Sequence, residues 1–288
     1  KGVLKMDNKK MNLENIEAVI FDWAGTMVDY GCFAPLDVFI KVFAEKGIEI
    51  SVKEAREPMG LKKIDHIRAL AAQKRIKKSW IKKYGTEITE KEIKELYQNF
   101  KETLLQILPD YAEPVPGAVE LFEKIKAQGL KVGSTTGYTS EMMEIVASKA
   151  AESGYRPDSI VTSTEVPAGR PAPFMCYQNA LKLEVYPLQK IVKIGDTISD
   201  IKEGKNAGAW TVGVIKGSSQ LGLKKKEVAQ LPAGELELKM EETAAAFKKA
   251  GADFVIAEIG EAAELLSKID KKIAGGELPR SYGESKDD

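Results

Sequence analysis

The sequence predicts an α/β fold: a Rossmann-like parallel sheet core with helices on both faces, plus an inserted helical cap domain. Two observations carry this. Short apolar runs bounded by Gly, Pro, Asp or Ser alternate with amphipathic helical segments, the pattern of a parallel sheet covered on both faces. The alternation breaks once, between Asp22 and Leu130, where helical patterns follow one another with no convincing strand. The expected division is core over 1–32 and 109–288, cap over 33–108.

The elements follow in order. Strands are expected at Ala18–Asp22, Leu130–Ser134, Ser159–Thr162, Ile191–Gly195 and Trp210–Ile215, with Val255 and Ile256 in a sixth. In the interrupted stretch, Pro35–Lys46 carries Leu36, Phe39, Ile40 and Phe43 on one face and stops at Gly47. Ser51-Val52-Lys53-Glu54 and Thr89-Glu90-Lys91-Glu92 both read as capping boxes. The second opens a helix with Ile93, Leu96, Tyr97, Phe100 and Leu104. Pro116–Gln128 reads as a helix ended by Gly129, and Ser140–Ala151 as one capped by Thr139. The tail Gly275–Asp288 is polar and expected to fray.

Composition excludes several classes. The chain has 288 residues, 43% apolar and 30% charged, with Lys plus Arg equal to Asp plus Glu at 43 each. No global field favours nucleic acid or a membrane surface. No apolar run approaches the roughly 20 residues that span a bilayer, and Lys1–Asn15 lacks the apolar core of a signal peptide. Cys32 and Cys176 are expected as free thiols in a reducing compartment, the cytoplasm. His66 is the single histidine, which excludes a multi-histidine metal site.

Four strand ends carry polar groups that would meet in one crevice. Asp22 ends the first strand and is followed by Ala24 and Gly25. Gly133-Ser134-Thr135-Thr136-Gly137 places hydroxyls and a flexible backbone after the second. Arg170 lies in a loop after the third, and Asp196 and Asp200 follow the fourth. A hydroxyl, a glycine amide and a guanidinium suit a phosphoryl group. Paired acids facing Asp22 suit a hard cation such as Mg2+. Singly, each group reads as a helix cap or a surface ion pair; the joint spacing is the signal. In the insertion, Met59-Gly60-Leu61-Lys62-Lys63-Ile64-Asp65-His66 combines a turn, two lysines and the histidine. A lysine can form an imine with an aldehyde, and the protonated imine can take up electrons from a neighbouring bond. Spacing alone does not choose between Lys62 and Lys63, and judged locally the favoured reading of the segment is a solvated basic helix start with a capping histidine.

The four core segments resemble the four motifs of the haloacid dehalogenase superfamily. The resemblance implies that Asp22 attacks phosphorus, Thr136 and Gly137 bind phosphate, and Arg170 stands where most members have lysine. It implies that Asp196 binds the metal with Asp22 and the carbonyl of Ala24, and that Asp200 supports it. Ala24 departs from the phosphatase pattern, in which a second Asp serves as acid and base; that help is worth about 10²–10⁴-fold. Ordinary phosphate esters should therefore be poor substrates, whereas a carbon leaving group with an electron sink fits. Phe21–Thr26, Asp29–Pro35, Met59-Gly60-Leu61 with Lys63–His66, Ser134–Thr139 and Val166–Pro171 are similar to the phosphonatase branch of that superfamily, over about Ile16–Ser219. This likeness implies hydrolysis of the carbon–phosphorus bond of phosphonoacetaldehyde. It implies an imine at Lys63, proton handling by His66 and Tyr138, and Cys32 and Met59 on the site wall. It also implies a homodimer through the cap, to which the aromatic face around Phe39 and Phe43 could contribute, or which it could miss by forming the cap's own core. The competing expectations are a sugar-phosphate phosphatase or phosphomutase, and a non-catalytic phospho-ligand-binding protein.

Overall fold

The structure, a computed structural model, describes residues 13–280. Its sheet contains β1 (Ala18–Phe21), β2 (Lys131–Thr136), β3 (Ser159–Thr162), β4 (Ile191–Gly195), β5 (Trp210–Val214) and β6 (Phe254–Ile256). Neighbours are parallel throughout, in the order β3-β2-β1-β4-β5-β6. The order reverses at β1, so a crevice opens beyond the carboxyl ends of β1 and the strands beside it.

Between β1 and β2 come α1 (Phe33–Glu45), α2 (Val52–Arg56), α3 (Lys63–Ala72), α4 (Lys74–Tyr84) and α5 (Glu90–Ile107). The sheet is covered by α6 (Ala118–Ala127), α7 (Ser140–Glu152), α8 (Phe174–Lys182), α9 (Ile198–Ala207), α10 (Lys225–Gln230), α11 (Ala233–Lys249) and α12 (Ala262–Ala274). Side chains alternate across β1, which explains the two layers. Val19 and Phe21 join the cluster that holds Leu121 of α6, Val146 of α7 and Ile269 of α12. Ala18 and Ile20 join Cys176 and Ala180 of α8 on the other face. Both expected capping boxes form, at Ser51 with Glu54 and at Thr89 with Glu92.

Four local expectations need correction. β2 runs two residues further than expected, because Gly133 to Thr136 pair with Ser159 to Thr162; the stretch read as a flexible loop is mostly strand. α1 starts at Phe33 because the Asp29 carboxylate, from upstream, accepts the amides of Phe33 (3.0 Å) and Ala34 (3.1 Å). α6 starts two residues late, after Gly117 in the left-handed region. Gly275–Arg280 is hydrogen-bonded rather than frayed, with the amide of Arg280 on Asp253 (2.9 Å); 281–288 lie outside the described residues. The aromatic face of α1 belongs to the cap interior. Phe39 and Phe43 are fully buried, and Phe39 stacks on Phe100 of α5 at 4.2 Å. It is therefore not available to a second subunit. No helix among the described residues is long and apolar enough to cross a membrane, and both cysteines are free and buried.

Candidate active site

Asp22 sits one residue past β1. Its amide still donates to Ile194 (2.9 Å), which ties it to β4 while its side chain leaves the sheet end. Thr136 closes β2, Asp196 follows β4, and Arg170 enters from the loop after β3. One cavity is lined by Asp22, Ala24, Cys32, Met59, Lys63, Thr136, Gly137, Tyr138, Arg170 and Asp196, together with Gly60 and Thr197. Ten expected residues from six separate segments thus share a wall. Asp200 and His66 do not line it.

The cap reaches this wall through the turn before α3. Gly60 lies at φ +88°, and a Cβ there would come within 2.5 Å of Thr197. A Cβ on Gly137 would come within 2.6 Å of the Leu61 carbonyl, so the two segments meet backbone to backbone. This approach separates the two lysines. Lys63 is 4% exposed, with its ammonium 4.8 Å from the Tyr138 ring centre. Lys62 caps α3, is only half-buried and lies over Gly169. Burial, the dominant influence, pushes the Lys63 amine below its usual range, although Cys32 and Asp22 act in the opposite direction. His66 sits behind Lys63. It stacks on Phe39 at 3.8 Å, its Nε2 lies 2.9 Å from the Ala55 carbonyl, and its Nδ1 is buried without a partner. Burial and then the Lys63 charge hold it well below the usual histidine range. A neutral ring that donates from Nε2 leaves Nδ1 as a bare acceptor.

Beneath the cavity lies a buried charge network. Arg170 forks onto Asp22 (2.7 Å), Asp200 (3.1 Å) and Glu203 (2.9 Å). Lys193 donates to Asp200 at 2.7 Å. A lysine could not bridge three carboxylates in one plane, which gives a physical reason for arginine here. Asp200 also accepts from Thr197 and its amide, closing the capping box of α9. Its lone pairs are thus taken by neighbours. Burial would raise Asp200, but Arg170 and Lys193 hold it below its usual range. Burial, then Asp22 and Asp200, hold Asp196 well above the carboxylate range, and burial with Asp200 also raises Asp22.

These residues fit a hard divalent cation. Oxygens of Asp22, Asp196 and Asp200 lie within 4.8 Å of one another, all buried. When ionised, the four buried carboxylates Asp22, Asp196, Asp200 and Glu203 outnumber the two cations of the network, Arg170 and Lys193, by two. All-oxygen donors with this excess suit Mg2+-type ions rather than soft metals.

Comparison with known proteins gives the family. The family model of the haloacid dehalogenase-like hydrolases matches residues 16–208. The chain belongs to that family. Within it, the chain is 54% identical over 257 residues to phosphonoacetaldehyde hydrolases of Bacillus cereus strain G9842 and Bacillus cytotoxicus, covering 89% of this chain and 97% of each relative. It is similar to the crystal structure of a phosphonoacetaldehyde hydrolase-like protein from Oleispira antarctica, with TM-score 0.90 and 37% identity over 96% of this chain and 100% of that one. A putative β-phosphoglucomutase from Bacteroides vulgatus shares the fold at TM-score 0.64 and 19% identity, over 91% of both chains.

In this haloacid dehalogenase-like hydrolase, several site residues escape sequence reasoning. Glu203 and Lys193 build the network that holds Arg170; Thr135, expected only as one of the crevice hydroxyls, donates to Glu203 at 3.0 Å. An acid seven residues past Asp196 and a lysine inside an apolar strand were the available signals. Asp29 is another. Burial pushes its carboxyl to about 6, against the amides of Phe33 and Ala34. Its left-handed φ of 53° and its place beside Cys32 were invisible in the sequence.

Proposed function

We propose that this chain hydrolyses the carbon–phosphorus bond of phosphonoacetaldehyde to acetaldehyde and phosphate. The observation that carries the reading is a single cavity lined by a carboxylate from below, Asp22, and a buried amine from above, Lys63. The names of the relatives at 54% identity support it.

Thr136, Gly137 and Arg170 hold the phosphonate. Mg2+, held by Asp22, Asp196 and the Ala24 carbonyl with Asp200 in support, would neutralise charge on the phosphonyl oxygens. The neutral amine of Lys63 adds to the aldehyde and loses water, giving an imine that is protonated. Asp22 attacks phosphorus. The phosphorus–carbon bond breaks, and its electron pair moves to the imine nitrogen as an enamine. Protonation at carbon and addition of water release acetaldehyde and free Lys63; a second water releases phosphate from Asp22. His66, with its bare Nδ1, and Tyr138, whose ring lies under Lys63, handle protons around the imine. Cys32 and Met59 close the wall. Lys63's depressed affinity for a proton supplies the neutral amine that the first step needs. We take 33–108 as the cap and 1–32 with 109–288 as the core, a cytoplasmic location from the two free thiols, and self-association through cap surfaces other than Phe39 and Phe43.

Ala24 decides between this reading and a general phosphatase. The test is phosphate release from phosphonoacetaldehyde and from p-nitrophenyl phosphate, each with and without Mg2+. The expected result is Mg2+-dependent release from the first, and release from the second lower by on the order of 10²-fold or more, since no acid is placed for the departing oxygen. Faster turnover of the ester would overturn the reading.

Burial strengthens the hold of Asp196 and Asp22 on protons, so a cation competes with protons for their oxygens. Mg2+ affinity should therefore weaken as pH falls, and binding should release protons. Titration calorimetry in two buffers of different ionisation enthalpy reads this. Identical heats in both would show that the acids are already ionised.

A further inference from the structure

The cavity between cap and core is about 20 Å³, room for about one water and too small for an organic substrate unless cap and core move apart. What holds them together bears on catalysis. Arg56, at the end of α2, leaves the cap and reaches the core. Its Nη1 donates to the Gly31 carbonyl (2.9 Å) and to the Ser219 carbonyl (3.0 Å), and its Nη2 to Gly222 (3.5 Å). Gly31 lies in the turn between β1 and α1, and its amide donates back to Gly217 at 2.7 Å. Ser219 and Gly222 lie in the loop after β5. The guanidinium covers the Phe33 ring at 4.8 Å.

Two links make this more than a surface contact. The amide of Ser219 donates to Asp196 at 2.7 Å. The same residue therefore receives the cap's arginine on its carbonyl and holds the candidate metal acid with its N–H. On the cap side, Ala55, directly before Arg56, offers its carbonyl to His66, and Met59 and Gly60 of the cavity wall follow within one turn. All three Arg56 hydrogen bonds end on main-chain carbonyls, which carry no titratable proton; separating cap from core is what breaks them.

We propose that Arg56 is a positioning residue that latches the cap onto the core and, through Ser219, sets Asp196 in the same movement. Closure and alignment of the metal acid then become one event. The cap cannot seat Lys63 without also tightening the loop that orients Asp196.

The two cysteines test this without any substrate. Cys32 lies on the cavity wall between cap and core, and Cys176 is buried under the sheet among Ala18 and Ile20. Labelling of each thiol by an aromatic disulfide, followed by peptide mass spectrometry, reads cap opening at Cys32 and loss of the core at Cys176. In Arg56→Ala, labelling of Cys32 should rise by on the order of tenfold, the effect of losing two charge-assisted donors, while Cys176 keeps its rate. Mg2+ alone should slow Cys32 labelling in the parent protein and do so much less in Arg56→Ala. Arg56→Lys keeps a single donor and should fall between, and it carries the test should the alanine variant fail to fold. Equal acceleration at both cysteines would reduce Arg56 to general stabilisation and overturn the proposal. So would an unchanged Cys32 rate, or equal Mg2+ protection in parent and variants. A failed phosphonoacetaldehyde assay leaves these readouts intact, so the two ideas fail separately.

Discussion

Lys63→Ala should abolish phosphate release from phosphonoacetaldehyde while the protein stays folded and binds Mg2+. Without an imine, breaking the phosphorus–carbon bond leaves a carbanion with nowhere to place its electrons. The expected loss is on the order of 10⁴-fold or more, the scale seen when a covalent participant is removed. Lys63→Arg should be equally inactive. Arginine keeps the cation near Asp22 and Asp29 but stays protonated and forms no imine. Borohydride added with substrate should trap the parent protein at Lys63 and trap neither variant. Trapping that persists in Lys63→Ala and disappears in Lys62→Ala would assign the chemistry to the other lysine. The burial of Lys63 at 4% exposure, against the half-buried Lys62 over Gly169, is the structural reason to expect otherwise.

Asp22→Asn should also silence phosphate release, again by on the order of 10⁴-fold or more, but with a different signature. The amide fills the same space and can still face Arg170. It cannot attack phosphorus, and its oxygen is a poorer ligand than a carboxylate. Lys63 is untouched, so borohydride should still trap the imine. Retained trapping with lost phosphate release separates the two halves of the mechanism. Burial and Asp200 already disfavour a charge at Asp22, so exchange for a neutral amide should leave thermal stability unchanged or raised without Mg2+. Phosphate release that survives Asp22→Asn would remove Asp22 as the nucleophile, and loss of trapping in this variant would mean that the carboxylate is needed to form the imine.

The alternation of apolar runs and helices announced the parallel sheet, because strands buried on both faces must be apolar throughout. Ser159–Thr162 and Ile191–Gly195 form within the bounds expected for them. The capping boxes at Ser51 and Thr89 were equally plain, since their hydrogen bonds are local and need only three residues of spacing. The start of α1 was not, because its cap comes from Asp29, four residues upstream across a left-handed turn. The end of β2 was missed because small polar residues there read as a loop, whereas their pairing with β3 is a property of the sheet.

For the site, sequence supplied the reactive types and their order. It placed Asp22, Thr136, Arg170 and Asp196 at strand ends, where the fold class alone brings polar groups together. Spacing alone could not choose between Lys62 and Lys63, since neighbours on one helix start differ only in what lies opposite; the resemblance pointed to Lys63. Sequence could not show that His66 stands behind the wall, or that Glu203 and Lys193 aim Arg170.

By itself, then, the sequence determined the α/β class, the inserted helices and the chemical groups at the crevice, because periodicity and strand-end spacing are local properties of the chain. Only the packed fold set the burial of Lys63 over Lys62, brought four acids and two cations into one buried cluster, and tied the cap to Ser219 through Arg56. Those facts depend on contacts between segments far apart in sequence, and the energy of a buried charge is set by what surrounds it rather than by what precedes it in the chain.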